Sequence, residues 1–481
     1  MVKYLCKLLR GALKQLKEQN IMSTTIAKKP ITNGLLWIFA VGQFGWSLLS
    51  GVIATWVVHM FAGVADSDAW TNGVFKAFIT DYKFLGIITI FGLIQAIGRV
   101  FDAITDPLVA SWSDRANFKG GRRIPFMRAI AIPFAVCTVA VFVVPTMFSV
   151  EVNTVLMFVL MLLFYLFMTI YCTPYNALIA ELGDTQKHRI NVSTYISFTY
   201  IAGFSIATFV PNLAGMLKGF AGTDENAIKL AVGIMAAVAA VAMLVPALFI
   251  NERRYIDSKP VKTPAFSSLT KTFKNARFRR FVYADVIYFF AVTLFQTGLA
   301  DFETRIMGID SNNTFMLTVI MTAFSLLLYP VVNLLAPKFG KKILIIIGFF
   351  VYSAGFLITA LSGKGFVWGV LVAVSAGVPM AILGILPQAC VADVSELSTL
   401  ETGEDRSGMF FAARTFAMKM GQALAVLIYT SITAYATAEN IMPYRAAAFV
   451  ATAFCLLGAI LFLFYNEKEI MDKIKGHKDK E

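Results

Sequence analysis

The chain carries little charge for its length and has few of the side chains on which metal sites and hydrolytic centres depend. Only 15% of its 481 residues are Asp, Glu, Lys or Arg, whereas about a quarter of a soluble protein is charged. Its five cysteines show neither a metal-binding spacing nor a disulfide framework. A phosphate-binding glycine loop and a serine nucleophile elbow are also missing. The sequence therefore argues against an ATP-driven pump and against an enzyme, and we expect no cofactor.

Apolar residues, by contrast, make up 58% of the chain and are concentrated in twelve segments. Each segment reaches about 20 residues, the length that a helix needs to cross about 30 Å of hydrocarbon. Because backbone polar groups in lipid must be paired within the segment, we expect these runs to be helices. The predicted spans cover residues 34–61, 84–112, 127–148, 152–180, 192–217, 230–250, 281–300, 314–337, 342–362, 366–392, 408–436 and 446–466.

Lysine and arginine are distributed unevenly between the two sides of these spans. The N-terminal segment, the loops after the even-numbered spans and the C-terminal tail hold 32 of the 42 Lys and Arg, and the other loops hold seven. The positive-inside rule therefore predicts that both termini are cytoplasmic. Membrane topology accounts for the net charge of +13, so the expected surroundings are a lipid bilayer and no nucleic-acid partner is required.

The basic N-terminal segment, residues 1–33, leaves two interpretations open. Residues 1–20 are amphipathic and have no apolar stretch long enough for a cleaved signal peptide. They could form a helix on the anionic membrane surface. Alternatively, translation starts at Met22 and the remaining residues are an ordinary cytoplasmic lead-in.

The chain contains an internal repeat that divides it into two halves. Near the end of the fourth span Pro174 is followed by Ala180-Glu181, and near the end of the tenth Pro387 is followed by Ala392-Asp393. We predict a six-helix bundle over 34–250, a basic cytoplasmic linker over 251–280, a second bundle over 281–466 and a tail over 467–481. An all-α membrane protein with two six-helix bundles and a basic central loop is typical of the major facilitator fold.

Few charged residues lie inside the predicted spans, and such residues usually have a function. Arg99, Asp102 and Asp106 lie within about 60° on one face of the second span, and the two acids are one helical turn apart. Two carboxylates at this spacing in a low dielectric repel each other. A shared Na⁺, a shared proton or Arg99 could relieve the repulsion. The alternative is a permanent Arg–Asp lock at a cytoplasmic gate, which could coexist with a cation site.

Arg99-x-x-Asp102-Ala-x-x-Asp106-Pro on a second span resembles the signature of the glycoside–pentoside–hexuronide:cation symporters. Further similarity lies in the second half, in Ala392-Asp393, in the stretch 402–408, in Thr415-Phe416 and in Lys419. The resemblance covers residues 33–466. It implies that Asp102 and Asp106 bind the coupling ion, Na⁺ or H⁺, and are its metal ligands if the ion is Na⁺.

The resemblance also implies roles for neighbouring residues. Thr105 and Thr169 would supply further oxygens to the cation, and Lys419 would lie near the cation and sugar sites and couple the halves. Lys419 lies about 16 Å along its helix and Asp102 about 15 Å from the same side. This similar depth makes a contact between Lys419 and Asp102 reasonable.

The substrate side departs from the galactoside-binding members of the family, because the aspartates of their first and fourth spans are replaced by Ser47 and by Cys172 and Asn176. Side chains that could still contact a sugar are aromatic, amide or hydroxyl groups, although such residues more often serve packing. These candidates are Gln43, Trp46, Tyr175, Asn176 and Thr415.

Three other polar residues are harder to interpret. Arg414 is a gate residue that could pair with the carboxylate of an acidic sugar, and the alternative is an arginine that snorkels to the surface. Asp285 and His59 lie near span ends and are interpreted as interfacial.

The sequence as a whole predicts a monomeric, multi-pass transporter of a bacterial inner membrane. It would carry a sugar or glycoside with Na⁺ or H⁺ by alternating access. A cation-coupled carrier of lysolipid-like amphiphiles is the nearer alternative, and a non-transporting membrane sensor is the more distant one.

Overall fold

The computed structural model describes residues 30–62, 71, 73–86, 88–116, 118, 121–182, 186–255, 272–310, 313–402, 407–437 and 439–478. The parts of the chain outside this set include residues 1–29 of the basic N-terminal segment, which contain Met1 and Met22, residues 256–271 of the predicted linker, and residues 403–406 of the second family motif. Bounds and contacts below refer to the described residues.

Helices lie at all twelve predicted positions. In the first half they are α1 (Asn33–Val52), α2 (Val58–Ala62), α3 (Ile90–Arg115), α4 (Ile124–Val143), α5 (Val150–Leu182), α6 (Gln186–Ala207), α7 (Val210–Ala221), α8 (Asp224–Phe249) and α9 (Glu252–Tyr255). In the second half they are α10 (Ala276–Asp301), α11 (Thr314–Phe339), α12 (Lys341–Leu361), α13 (Phe366–Thr402), α14 (Ser407–Thr433), α15 (Met442–Leu463) and α16 (Glu467–Lys478). Single π-helical turns, Ile53–Val57 and Phe302–Ile306, follow α1 and α10, the first helix of each half.

The predicted start of the second span differs from the structure. The second span was expected to begin at residue 84, but β1 (Lys83–Phe84) and β2 (Ile88–Thr89) form a short antiparallel hairpin there. The chain reverses at Leu85 and Gly86, which both have positive φ. The helix begins only after Thr89, whose side chain accepts a hydrogen bond from the N–H of Gly92 and so caps α3.

Most of these helices can cross a membrane. Among the described residues, ten are long and apolar enough, and there are eleven if the pair Asn191–Ala207 and Val210–Ala221, bent by 44°, forms one span. The helix α3 is not among them, and it carries Arg99, Asp102 and Asp106. The structure is thus a helical membrane protein, and twelve crossings remain a prediction.

Within each half the helices pack mainly against one another. In the first half α1 packs against α6 and α8, and α5 packs against α3 and α4; in the second half α12 packs against α13 and α15, and α10 packs against α14 and α15. The halves meet chiefly where α3 lies along α14. The predicted cation site therefore lies on the helix that forms most of the contact between the halves.

One face of the molecule holds the start of α1 and the end of α15, and we call it the terminal face. There Glu252, after α8, accepts hydrogen bonds from the backbone N–H groups of Arg123 at 2.8 Å and Ile124 at 3.2 Å. A carboxylate is favourable at this place because the first N–H groups of a helix lack partners within the helix. This bond fixes the start of α4 to the end of α8.

The second half repeats this bond. Glu467, after α15, accepts hydrogen bonds from the N–H groups of Lys341 at 2.9 Å and Lys342 at 2.8 Å at the start of α12. In both halves a glycine with positive φ comes shortly before the helix, Gly121 and Gly340, and an added Cβ would lie 2.2 Å from Glu252 or 3.0 Å from Glu467. We call these two bonds the glutamate clamps. The tandem repeat therefore extends to the packing of each half.

Candidate ion-coupling site

The predicted acid pair lies at the contact between the halves. Asp102 is fully buried, and about a quarter of the Asp106 side chain is exposed. The two side chains lie one turn apart on the same face of α3, which continues as a helix through Pro107. On the facing helix, α14, Lys419 is 7% exposed. Three charged groups therefore meet at a depth where water is scarce.

Lys419 bridges the two acids. Its Nζ lies 2.8 Å from Oδ2 of Asp102 and 2.5 Å from Oδ2 of Asp106. The contact between Asp102 and Lys419 that helix depth suggested is therefore present. Lysine, not arginine, balances the two carboxylates, so the Arg–Asp lock considered above does not occur in this arrangement. The ammonium occupies the position that a coupling cation would take between the acids.

Threonine hydroxyls complete the surroundings of the acids. Thr169 on α5 donates a hydrogen bond to Oδ1 of Asp102 at 2.5 Å. Thr105 lies 3.4 Å from the Thr169 hydroxyl and donates to the backbone carbonyl of Asp102 at 3.1 Å. Thr173, which was not predicted from the sequence, lies 3.4 Å from Oδ1 of Asp106. Carboxylate and hydroxyl oxygens of this kind suit a hard cation such as Na⁺.

Arg99 lies one turn further along α3, and its Nη1 donates to Oε1 of Gln422 on α14 at 3.3 Å. Its guanidinium lies 5.1 Å from the ring centre of Tyr165. No carboxylate lies within 4 Å of Arg99 among the described residues. Arg99 thus contacts the other half through a neutral amide.

Arg414 has a partner of its own. Its Nε and Nη2 donate to the two carboxylate oxygens of Asp285 at 2.7 and 2.9 Å, and its guanidinium lies 5.4 Å from the ring centre of Phe289. Asp285 is 3% exposed, so the interfacial interpretation of this residue was wrong. The pair joins α10 to α14 within the second half. Arg414 is therefore neither a snorkelling side chain nor a guanidinium free for a substrate carboxylate.

The five residues predicted to contact a sugar differ in the contacts that they make in the structure. Gln43 accepts a hydrogen bond from the indole N–H of Trp46 at 3.2 Å, so these two residues form a joint aromatic and amide surface. Tyr175 is fully buried, stacks on Phe39 at 4.1 Å and donates to its carbonyl, which is a packing role. Asn176 is exposed.

Thr415 donates to the carbonyl of Phe411 on its own helix. The described contacts of these five candidates thus bring only Gln43 and Trp46 together.

A second polar cluster joins the halves on the face opposite the termini. Nδ1 of His59 lies 2.6 Å from Oδ1 of Asp301, Nε2 lies 3.0 Å from the hydroxyl of Thr71, and Tyr429 donates to Asp301. His59 is fully buried, so its interpretation as interfacial was wrong. The sequence signal was available, because His59 and Asp301 lie near the ends of the first and seventh spans. On the same face Lys83 donates to the carbonyl of Ala434 at 3.0 Å.

Comparison with known proteins identifies the family to which this chain belongs. The family described as MFS/sugar transport protein matches residues 38–466, and the chain belongs to that family. It is 23% identical to the sodium-dependent lysophosphatidylcholine symporter 1 of Gallus gallus, over 80% of this chain and 81% of that protein. It is 21% identical to the inner membrane symporter YicJ of Escherichia coli, over 77% of this chain and 81% of that protein.

Solved structures agree at the level of the fold. A proton-dependent oligopeptide transporter superposes with a TM-score of 0.66 at 13% identity, covering 92% of this chain and all of that one. The nucleoside transporter NupG superposes with a TM-score of 0.62 at 14% identity, covering 90% of this chain and all of that one. The chain is therefore a multi-pass membrane transporter of the major facilitator superfamily, and its relatives are symporters, not enzymes.

Proposed function

We propose that this protein is a cation-coupled symporter in which Lys419 and a mobile cation compete for Asp102 and Asp106. The observation that carries the proposal is the position of the Lys419 ammonium, between two carboxylates that belong to the other half of the molecule. The signature on α3 supports assignment to the glycoside–pentoside–hexuronide:cation symporters. The name of the lysophosphatidylcholine relative supports Na⁺ as the coupling ion.

The competition provides a mechanism for coupling. When Lys419 binds the acids, α3 and α14 are held together near the middle of the molecule. A Na⁺ ion or a proton that neutralises the acid pair weakens their hold on Lys419. The contact between the halves is then weaker, and the free energy of cation binding biases the equilibrium between their arrangements. Coupling of this kind is reciprocal, so substrate tightens cation binding as much as the cation tightens substrate binding.

A sugar or glycoside is the first candidate substrate. The family description names sugar transport, and Gln43 with Trp46 offers an amide and an aromatic face. A lysolipid-like amphiphile is the second candidate, supported by the lysophosphatidylcholine relatives. The transporter is further proposed to be a monomer with twelve spans and cytoplasmic termini in a bacterial inner membrane. The related Escherichia coli inner membrane symporter favours that location.

Uptake into proteoliposomes tests the cation site. We expect Asp102→Asn and Asp106→Asn each to abolish uptake driven by a Na⁺ or proton gradient, while the protein still inserts in the membrane. The exposed Asp472 on α16 provides a matched control, and Asp472→Asn should transport normally. A panel of glycosides and labelled lysolipid is assayed with each gradient. Full gradient-driven transport by both variants of the acid pair would remove the proposed site.

A further inference from the structure

We propose that Arg99 binds the anionic group of the transported substrate, so that the substrate class is a carboxylate- or phosphate-bearing glycoside or amphiphile. This inference rests on the proposed cation-coupled symport and assigns the substrate contact that completes it. The sequence left open a contact between Arg414 and an acidic sugar, and this inference assigns the anion to the arginine near the cation site instead.

The first argument compares the partners of three basic residues inside the predicted spans, Arg99, Arg414 and Lys419. The two oxygens of Asp285 already bind Arg414, and Asp102 and Asp106 share Lys419. For Arg99 the one polar contact within the described residues is the amide of Gln422. Its Nε is buried and has no hydrogen-bond partner in the part of the chain that the structure describes. A buried guanidinium N–H without an acceptor is costly, and a bidentate anion is the acceptor that fits it.

The second argument is charge balance. In this arrangement the charges of Asp102, Asp106, Lys419 and Arg99 sum to zero. When a monovalent cation binds the acid pair, the same group carries one positive charge in a region of low dielectric. An anion beside Arg99 restores neutrality, and the released Lys419 adds a second attraction. Binding of the cation therefore favours binding of an anion, which gives a physical reason for joint transport.

The third argument is position. Arg99 lies three residues from Asp102 on α3, and Gln422 lies three residues from Lys419 on α14. Both steps lead away from the terminal face, so the contact between Arg99 and Gln422 lies one turn beyond the Lys419 bridge. An anion bound there contacts both halves directly. Its presence is thus linked to their relative movement, as a transported substrate requires.

Paired ligands test the proposal and distinguish two sources of the anion. The first pair is 4-nitrophenyl β-glucuronide and 4-nitrophenyl β-glucoside, and the second is lysophosphatidate and the monoacylglycerol with the same acyl chain. Uptake into proteoliposomes is measured with a Na⁺ gradient, a proton gradient and no gradient. We expect the anionic member of one pair to be taken up at least about tenfold faster than its neutral member, the effect of one charge-assisted contact. The preferred pair identifies the source of the anion.

Variants of Arg99 then test whether this residue causes the preference for the anionic ligand. Arg99→Gln should remove the preference, so that the anionic member is no longer taken up faster than its neutral member. Arg99→Lys should keep the preference and bind the anionic member about tenfold more weakly, because it keeps the charge and loses the fork. If Arg99→Gln does not fold, Arg99→Lys alone decides. Arg128 on α4, which binds the carbonyl of Ala247, is the matched control, and Arg128→Gln should keep the wild-type preference.

Other results would overturn the proposal. These are faster uptake of the neutral member in both pairs, an unchanged preference in Arg99→Gln, unchanged binding in Arg99→Lys, or no uptake of any of the four ligands. Cation-driven uptake of the neutral glycoside that is as fast as uptake of its anionic partner would end this inference and leave the proposed symport intact. Uptake of an anion that no cation gradient accelerates would end the proposed symport itself.

Discussion

Among the described residues, two basic side chains of α14 form buried salt bridges, and these differ in what they connect. Arg414 and Asp285 join two helices of the same half through two short hydrogen bonds. Lys419, little more than one turn away, reaches Asp102 and Asp106 in the other half. The first pair can persist through any rigid movement of the halves, whereas the second must break whenever α3 and α14 separate.

This difference suggests opposite roles for the two pairs. A bidentate arginine–carboxylate pair within one bundle holds a fixed geometry. A lysine is a single compact charge on a flexible stem, which a mobile cation can replace. We therefore expect the pair within the second half to be structural and the pair between the halves to be exchangeable.

The largest expected effect comes from breaking the structural pair. Asp285→Ala leaves the Arg414 charge buried and unpaired, and such losses cost about 3–5 kcal/mol. We expect a corresponding loss of unfolding free energy, measured by denaturant unfolding of the purified protein in detergent. Replacing both partners together, with Asp285→Leu and Arg414→Met, should recover much of the loss. A cost below about 1 kcal/mol for Asp285→Ala would contradict a structural role.

A smaller effect, of a different kind, is expected from the exchangeable pair. Lys419→Ala removes the tethered competitor, so Na⁺ should bind the acid pair about tenfold more tightly or better, a change of about 1.4 kcal/mol. The Na⁺ concentration that half-saturates thermal stabilisation measures this affinity, with choline as the inert cation. Gradient-driven uptake should be lost. Lys341, which pairs with Asp393 inside the second half, is the control, and Lys341→Ala should leave the Na⁺ midpoint in place. An equal shift in both variants would refute the distinction.

The smallest expected effect compares two hydroxyls of the same helix. Thr169→Val removes the 2.5 Å bond to Asp102 and should weaken Na⁺ binding about fivefold, which corresponds to about 1 kcal/mol. Thr173→Val removes a contact of 3.4 Å to Asp106, beyond the usual range, and should change the affinity less than about twofold. The same Na⁺ titration measures both. Equal losses of Na⁺ affinity in the two variants would contradict the expectation that the hydroxyl next to Asp102 contributes more to Na⁺ binding than the hydroxyl next to Asp106.

The sequence predicted most of the fold because lipid leaves the backbone few alternatives. Long apolar runs gave the helices and their order, and their ends were shifted where local chemistry intervened, as at the hairpin before α3. The acid pair was also predictable, since helical spacing fixes how Asp102 and Asp106 lie relative to each other.

Partners on other helices were not predictable in the same way. Helical periodicity relates residues of one helix and does not specify which residue of another helix they meet. From the sequence, either Arg99 or a mobile cation could have neutralised the two acids. In the structure the side chain between them is that of Lys419. Distance from a span end likewise misjudged Asp285 and His59, because both are covered by neighbouring helices. The Asn-Glu pair at 251–252 recurs at 466–467, and this repeat is the sequence signal for the two glutamate clamps.

The glutamate clamps have a consequence for how the protein could be produced. Each clamp ties the beginning of one helix to the end of another within the same half, and neither uses residues 256–271. Two separate polypeptides, one ending after Tyr255 and one beginning at Thr272, would each retain a complete clamp. We expect such fragments to reassemble when they are expressed together, as independently built modules would.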